Sequence, residues 1–176
     1  MSRGRSEAEG GRCSKTSSRF STLSSCPFRL SVAVALAACL GLERETRRKP
    51  AGLRTFALVS LGAAGFVIAV LQGAAALPMP RETVEYDPTG LIGAVAGGIG
   101  FLGAGAIIND RTGTRGITTA AGIWICGAIG VACGVGQYVL AVTLTTLALA
   151  VLVGLRVLED TALHSGHDDP RGGRGS

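Results

Sequence analysis

The residues best suited to chemistry are charged and hydroxyl side chains that border long apolar segments. Carboxylates at a membrane boundary can coordinate hard cations or titrate, whereas arginines there set orientation or bind anionic lipid headgroups. Polar groups are costly in an apolar setting, so those that occur beside apolar segments mark candidate functional positions. The candidates are Glu43, Arg44, Glu45, Arg54, Asp110, Arg115, Thr118 and Thr119.

The two carboxylates of the first basic segment allow two interpretations. Glu43 precedes Arg47, and Glu45 precedes Lys49, by four positions, a spacing that stabilises a helix continuing past the membrane. On that interpretation the segment only ends a helix and anchors its orientation. On the other, the carboxylates form part of a cation or proton vestibule. The spacing leaves both interpretations open.

Membrane-spanning helices must position these side chains. A mean hydropathy of +0.42 with 16% charged residues exceeds what a soluble domain carries. A spanning helix needs about 20 apolar residues, so the sequence predicts an all-α polytopic membrane protein with about five transmembrane helices in a compact, glycine-rich bundle. The predicted spans are Phe28 to Leu42, Phe56 to Leu77, about Gly90 to Ile108, Ile117 to about Val135 and Tyr138 to about Leu155.

Glycine and other small residues recur at helical spacing in the apolar segments. Glycine destabilises a helix in water by about 1 kcal/mol, but in lipid small residues let neighbouring helices approach closely. Positions four apart share one helix face, so we expect these lines to pack helices within the bundle. Docking of a second copy or of a partner membrane protein would use the same kind of surface. The packing candidates are Gly93, Gly97, Gly122, Cys126, Gly130 and Gly134.

The distribution of Lys and Arg predicts the orientation and the domain limits. The loops after the first and third spans are basic, which predicts that they and the carboxyl terminus are cytoplasmic. The equally basic amino terminus breaks this rule. Three explanations are open: a misassigned start, a cleaved leader, or a disordered tail whose charges are outweighed by the later loops. We therefore predict a disordered or misannotated extension over 1–27, a transmembrane domain over 28–158 and a polar disordered tail over 159–176. Leu36-Ala-Ala-Cys39 also resembles the cleavage box of a bacterial lipoprotein, which would anchor the chain to lipid through Cys39. The alternative interpretation is that Cys39 is a small residue within the first helix.

Neither the cysteines nor a glycine motif indicates a cofactor. The cysteines lack metal-site spacing, and both histidines lie in the polar tail. Gly98-Ile-Gly-Phe-Leu-Gly103 fits a dinucleotide-binding pattern, but no acidic residue follows at the required distance. We expect no catalytic residue, no cofactor, no bound metal and no nucleic-acid partner, and a lipid bilayer as the environment.

Four motifs resemble, in order and spacing, the MgtC/SapB family of bacterial inner-membrane proteins. They are Gly41-Leu-Glu-Arg-Glu45, Lys49-Pro-Ala-Gly-Leu-Arg-Thr55, Gly98-Ile-Gly-Phe-Leu-Gly-Ala-Gly-Ala106 and Arg115-Gly-Ile-Thr-Thr-Ala-Ala121. The resemblance covers about Arg29 to Leu158 and implies a first helix that runs unbroken into Glu45. It also implies a short form without the cytoplasmic domain of longer members. Phe56, Ala94 and Gly97 stand where members often carry polar residues, which leaves Asn109, Asp110, Thr118 and Thr119 as inner-end polar candidates.

The resemblance implies a non-enzymatic, multi-pass plasma-membrane protein. Members are linked to survival in low magnesium, acid tolerance and virulence. The best-known member is described as acting on the proton-translocating ATP synthase, so the resemblance implies a partner membrane protein of that kind. The alternative function is a small cation transporter or channel, in which a homo-oligomer surrounds a carboxylate site at the inner end.

Overall fold

The structure, a computed structural model, describes residues 25–76, 87–110 and 113–164. The helices in these ranges follow the apolar segments, because an apolar span in lipid must satisfy its own backbone hydrogen bonds. A short antiparallel hairpin separates the third helix from the fourth. The elements are α1 (Cys26–Thr46), α2 (Leu53–Ala76), α3 (Pro88–Gly105), β1 (Ile108–Asp110), β2 (Gly113–Arg115), α4 (Ile117–Val135) and α5 (Tyr138–His164).

The predicted class, an all-α polytopic membrane protein, is confirmed. Four helices of the described part are long and apolar enough to cross a membrane: Cys26–Thr46, Leu53–Ala74, Ile117–Val135 and Tyr138–Arg156. The third is a shorter apolar helix over Thr89–Gly105. The predicted span to Ile108 was too long, because Ile108 leaves the helix and pairs with Arg115 across the hairpin.

The centre of the bundle is formed by α1, α2 and α4. Helix α4 packs most extensively on α2, and α3 and α5 lie outside this trio, mainly against α4. Gly41 sets the approach of α1 to α2, since a Cβ there would lie 2.6 Å from the Cα of Leu53. Ser60 adds a buried hydrogen bond from its hydroxyl to the carbonyl of Ala33, at 3.1 Å.

The predicted limits of two outer segments need correction. Helix α1 begins at Cys26, inside the predicted extension, and α5 continues to His164, so residues 159–164 of the predicted tail are helical. The predicted disorder over 1–24 and 165–176 lies outside the described residues. Helix α1 does run unbroken through Glu45, as the resemblance implied.

Helix α1 ends in a left-handed turn. Arg48 has a φ of 53°, and the amide N–H groups of Arg48 and Lys49 donate to the carbonyls of Glu45 and Arg44 at 2.9 and 3.1 Å. This reversal places Lys49 beyond the helix, so the predicted helical pair of Glu45 with Lys49 is wrong. It also brings the start of α2 back to the end of α1. We call this end of the bundle, where α1 ends and α2 and α4 begin, the basic end.

Candidate functional site

Arg44 joins α1 to α4 at the basic end. Its side chain is buried, with the residue 5% exposed, and Nη2 donates to Oγ1 of Thr119 at 3.1 Å. Thr119, in the first turn of α4, is 2% exposed. The sequence marked both residues as candidates, but their 75-residue separation hid the contact. A guanidinium hydrogen-bonded in this way fixes the register of the two helices.

Glu43 lies between two arginines. Its Oε1 is 3.4 Å from Nε of Arg47, the predicted pair one helical turn away, and its Oε2 is 4.0 Å from Nη1 of Arg44. The Glu43 side chain is only 12% exposed. Two cations beside one carboxylate leave the local charge positive, which disfavours a bound cation.

Glu45 has a different role from Glu43. It is exposed, and its Oε2 accepts a hydrogen bond from the amide N–H of Leu53 at 2.9 Å. Leu53 is the first residue of α2, whose first amide groups have no partner within the helix. Glu45 therefore caps α2 from across the loop, and the charge suits the positive end of that helix.

This cap can be tested by removing the acceptor. We expect Glu45→Ala to lower the free energy of unfolding by about 1 kcal/mol, the usual cost of a lost N-terminal cap. Glu45→Gln keeps an acceptor oxygen and should lose less. Thermal unfolding in detergent, followed by circular dichroism, measures both, with Lys49→Ala in the same exposed loop as the control. An unchanged stability of Glu45→Ala would show that the cap does not stabilise α2.

The other charged and hydroxyl candidates are spread over the basic end. Arg54 is exposed in the first turn of α2, Arg115 is exposed in β2, and Thr118 is exposed in the first turn of α4. Asp110 ends β1, and its side chain lies outside the described residues. The structure thus brings Glu43, Arg44 and Thr119 into one cluster, whereas Arg54 and Arg115 stand outside it.

A polar pocket of about 640 Å³ opens beside this cluster. It includes four basic residues that the sequence analysis did not assign to a site. In the sequence these four residues served only to place the loop after the first span and the carboxyl terminus in the cytoplasm, apart from the helical pairs expected of Arg47 and Lys49. The sequence signal that these four residues share is their position at the end of an apolar segment, on the same side of the membrane. The lining residues are Glu43, Arg44, Thr46, Arg47, Arg48, Lys49, Thr118, Val151, Leu152, Leu155 and Arg156.

The small-residue line of α4 lies against α2. A Cβ on Gly134 would lie 2.9 Å from the carbonyl oxygen of Ala64, and one on Gly122 would lie 2.9 Å from Cζ of Phe56. A Cβ on Gly130 would overlap the carbonyl oxygen of Ser60. Cys126, on the same line, is fully buried. These positions allow α2 and α4 to approach backbone to backbone.

The glycines of α3 behave differently. Gly93 and Gly97 are exposed, and a Cβ on either would meet nothing within 4 Å. Within the part of the chain that the structure describes, these two glycines therefore pack against no neighbouring helix, unlike the glycines of α4. Helix α3 uses another face toward α4, where Ile99 is buried and reaches Gly127. An open glycine face remains on the outside of the bundle.

Comparison with known proteins gives a consistent result. The family model described as the MgtC family matches residues 30–161. Protein MgtC of Salmonella typhimurium is 41% identical over 128 residues, which are 72% of this chain and 51% of that protein. The putative magnesium transporter YhiD of Escherichia coli is 39% identical over 124 residues, 70% of this chain and 57% of that protein. No solved structure matches significantly.

The matched region contains the whole candidate site. It extends from α1 into α5 and includes the cluster around Arg44 and the glycine faces of α3 and α4. The chain spans about half the length of the curated relatives it matches. With its apolar helices, this match identifies a bacterial membrane protein, and the chain belongs to the MgtC family.

Proposed function

We propose that this protein is a non-enzymatic regulator in the bacterial plasma membrane. It acts in magnesium or proton homeostasis, and so in adaptation to low magnesium or acid, by binding another membrane protein. Membership of the MgtC family and the magnesium-related name of the relative YhiD support the physiological setting. The basic end faces the cytoplasm, because Lys and Arg concentrate there, and the carboxyl terminus lies on the same side.

The open glycine face of α3 carries this proposal. Gly93, Gly97 and Gly100 follow helical spacing and are exposed, and a Cβ on each would meet no atom of the described residues within 4 Å. In lipid, such small-residue faces allow another helix to approach closely. The corresponding glycines of α4 are already covered by α2, so they cannot serve a partner. We infer that the α3 face receives a transmembrane helix of the partner protein.

The polar groups of the bundle favour a regulator over a transporter. Ionisable side chains within the membrane mark ion and proton paths, where they pair with one another or with backbone carbonyls. Among the described residues, the buried hydroxyls all have partners within the bundle: Ser60 donates to the Ala33 carbonyl of α1, Thr145 donates to the Ala141 carbonyl of its own helix, and Thr119 accepts from Arg44. No group of three or more His, Cys, Asp or Glu side chains in those ranges could hold a metal ion.

A larger residue on the open glycine face of α3 should weaken partner binding without affecting folding. The proton-translocating ATP synthase is the first partner to test. We expect Gly97→Leu to reduce its co-purification with the tagged chain about tenfold, which corresponds to a loss of about 1.4 kcal/mol in helix contact. The measurement is the amount of synthase subunit recovered from host membranes in mild detergent.

The matched control is Gly154→Leu. Gly154 is an exposed glycine of α5, and a Cβ there would also meet nothing within 4 Å. Both variants should retain the wild-type helicity and elution volume, while only Gly97→Leu loses the partner. Equal recovery of the synthase subunit with the wild type, Gly97→Leu and Gly154→Leu would reject the α3 face as the docking surface. Loss of self-association alone would instead assign the face to a homo-oligomer.

The alternative function, cation transport, would depend on one carboxylate, although the arginines beside it oppose a bound cation. Glu43 is a largely buried carboxylate that lines the pocket at the basic end. Magnesium and proton flux in proteoliposomes discriminates the two candidates. A regulator gives no flux above empty vesicles. Flux that disappears in Glu43→Gln, with insertion intact, would establish the transporter instead.

A further inference from the structure

The pocket at the basic end is strongly cationic. Among the described residues, five basic side chains line it against one carboxylate, that of Glu43, which already has Arg47 as its ion-pair partner. The basic residues come from the end of α1, from the loop that follows and from the last part of the α5 span. The five are Arg44, Arg47, Arg48, Lys49 and Arg156.

One of these side chains is buried and only partly satisfied. Arg44 is 5% exposed, and its Nε has no hydrogen-bond partner among the described residues, although its Nη2 reaches Thr119. A buried guanidinium with a free donor is costly, because the group gives up water without replacement. An oxyanion in the adjoining pocket would supply the acceptor that is lacking.

The pocket also has an apolar wall. Val151, Leu152 and Leu155 of α5 line it, and Val151 and Leu155 are each 55% exposed. An inorganic anion would leave this wall in water. A ligand with a phosphate next to hydrocarbon would cover both surfaces, and basic pockets between helices at the cytoplasmic side suit anionic lipid headgroups.

We propose that this pocket binds the phosphate of an anionic phospholipid. The phosphate lies among the side chains of Arg44, Arg48 and Lys49, and the acyl chains run along Val151 and Leu155 of α5. Thr118, in the first turn of α4, lines the same pocket, where the positive end of the helix dipole adds to the attraction. The site is separate from the α3 face and does not depend on the proposed docking.

Lipid retention tests the site directly. The full chain is purified in detergent and titrated with phosphatidylglycerol or with phosphatidylcholine, and the lipid that remains bound is counted by native mass spectrometry. We expect preferential binding of phosphatidylglycerol. Arg48→Gln should weaken it about fivefold, and Arg48→Gln/Lys49→Gln about 25-fold, since each basic residue near an anionic headgroup contributes about 1 kcal/mol.

The matched control is Arg54→Gln. Arg54 is an exposed arginine at the same end of the bundle but is not part of the pocket lining. All the substituted positions are exposed, so helicity should not change in any variant, which circular dichroism verifies. Equal binding of the two lipids, or an equal loss in Arg54→Gln, would overturn the proposal. Displacement of the lipid by inorganic phosphate alone would identify a free phosphate as the ligand and reject the lipid.

Discussion

Replacing Gly130 with alanine is expected to destabilise this protein by about 3 kcal/mol, the upper end of what overpacking a core costs. The added Cβ would overlap the backbone carbonyl oxygen of Ser60 and lie 2.9 Å from Cβ of Ala63. A backbone carbonyl in the middle of α2 cannot rotate away as a flexible side chain can. The two helices must therefore separate, and the buried contacts between them weaken along the whole interface.

The chain contains its own control for this substitution. Gly97→Ala introduces the same methyl group in an apolar helix, but into open space. Alanine favours helix over glycine by about 1 kcal/mol in water, so this variant should be as stable as the wild type or slightly more stable. Trp124, the chain's single tryptophan, lies in α4 and reports unfolding by fluorescence in a denaturant titration. Equal stability of the two variants would contradict the proposed close contact of α2 with α4.

The contrast between Gly130 and Gly97 shows where the sequence stops being informative. Both glycines belong to four-residue lines in apolar segments, and the sequence analysis gave both the same packing role. Periodicity identifies which residues share a helix face, but it does not reveal what covers that face. Only the packing of the folded chain separates the covered line of α4 from the open line of α3.

Element boundaries were predictable where a local signal marks them. Helix α4 was predicted from Ile117 to about Val135 because the apolar segment there is uninterrupted, and the structure bounds the helix at these residues, with Gly116 and Gly136 at positive φ on either side. The end of α3 was missed because its apolar composition continues to Ile108. The hairpin that ends this segment depends on pairing with Arg115, which hydropathy does not encode.

The candidate site was predictable as a set of residues but not as an arrangement. Charges at the ends of apolar spans pointed to Glu43, Glu45 and Arg44. Their partners depend on tertiary contacts: Glu45 reaches α2, and Arg44 reaches α4. The vestibule hypothesis assumed that the two carboxylates act together, whereas each has a separate partner.

Thr119→Val is expected to lower the free energy of unfolding by about 2–3 kcal/mol. Valine has nearly the same shape as threonine, so the change removes the hydroxyl with little effect on packing. Nη2 of Arg44 then has no acceptor in a buried setting, and hydrogen bonds to charged groups contribute about 1.5–3 kcal/mol. The same denaturant titration, followed by the fluorescence of Trp124, measures the loss.

Two further variants separate the hydrogen bond from the burial of a hydroxyl. Thr119→Ser keeps the acceptor and removes one methyl group, for which about 0.8 kcal/mol is expected. Thr145→Val removes another buried hydroxyl, but one that donates to the Ala141 carbonyl of its own helix at 2.9 Å, so no charged group loses a partner. We expect a loss of less than about 1 kcal/mol in Thr145→Val.

If Thr119→Val and Thr145→Val were equally stable, the Arg44 contact would contribute nothing beyond the burial of a hydroxyl. A loss confined to Thr119→Val would establish Arg44 as the residue that holds α4 against α1.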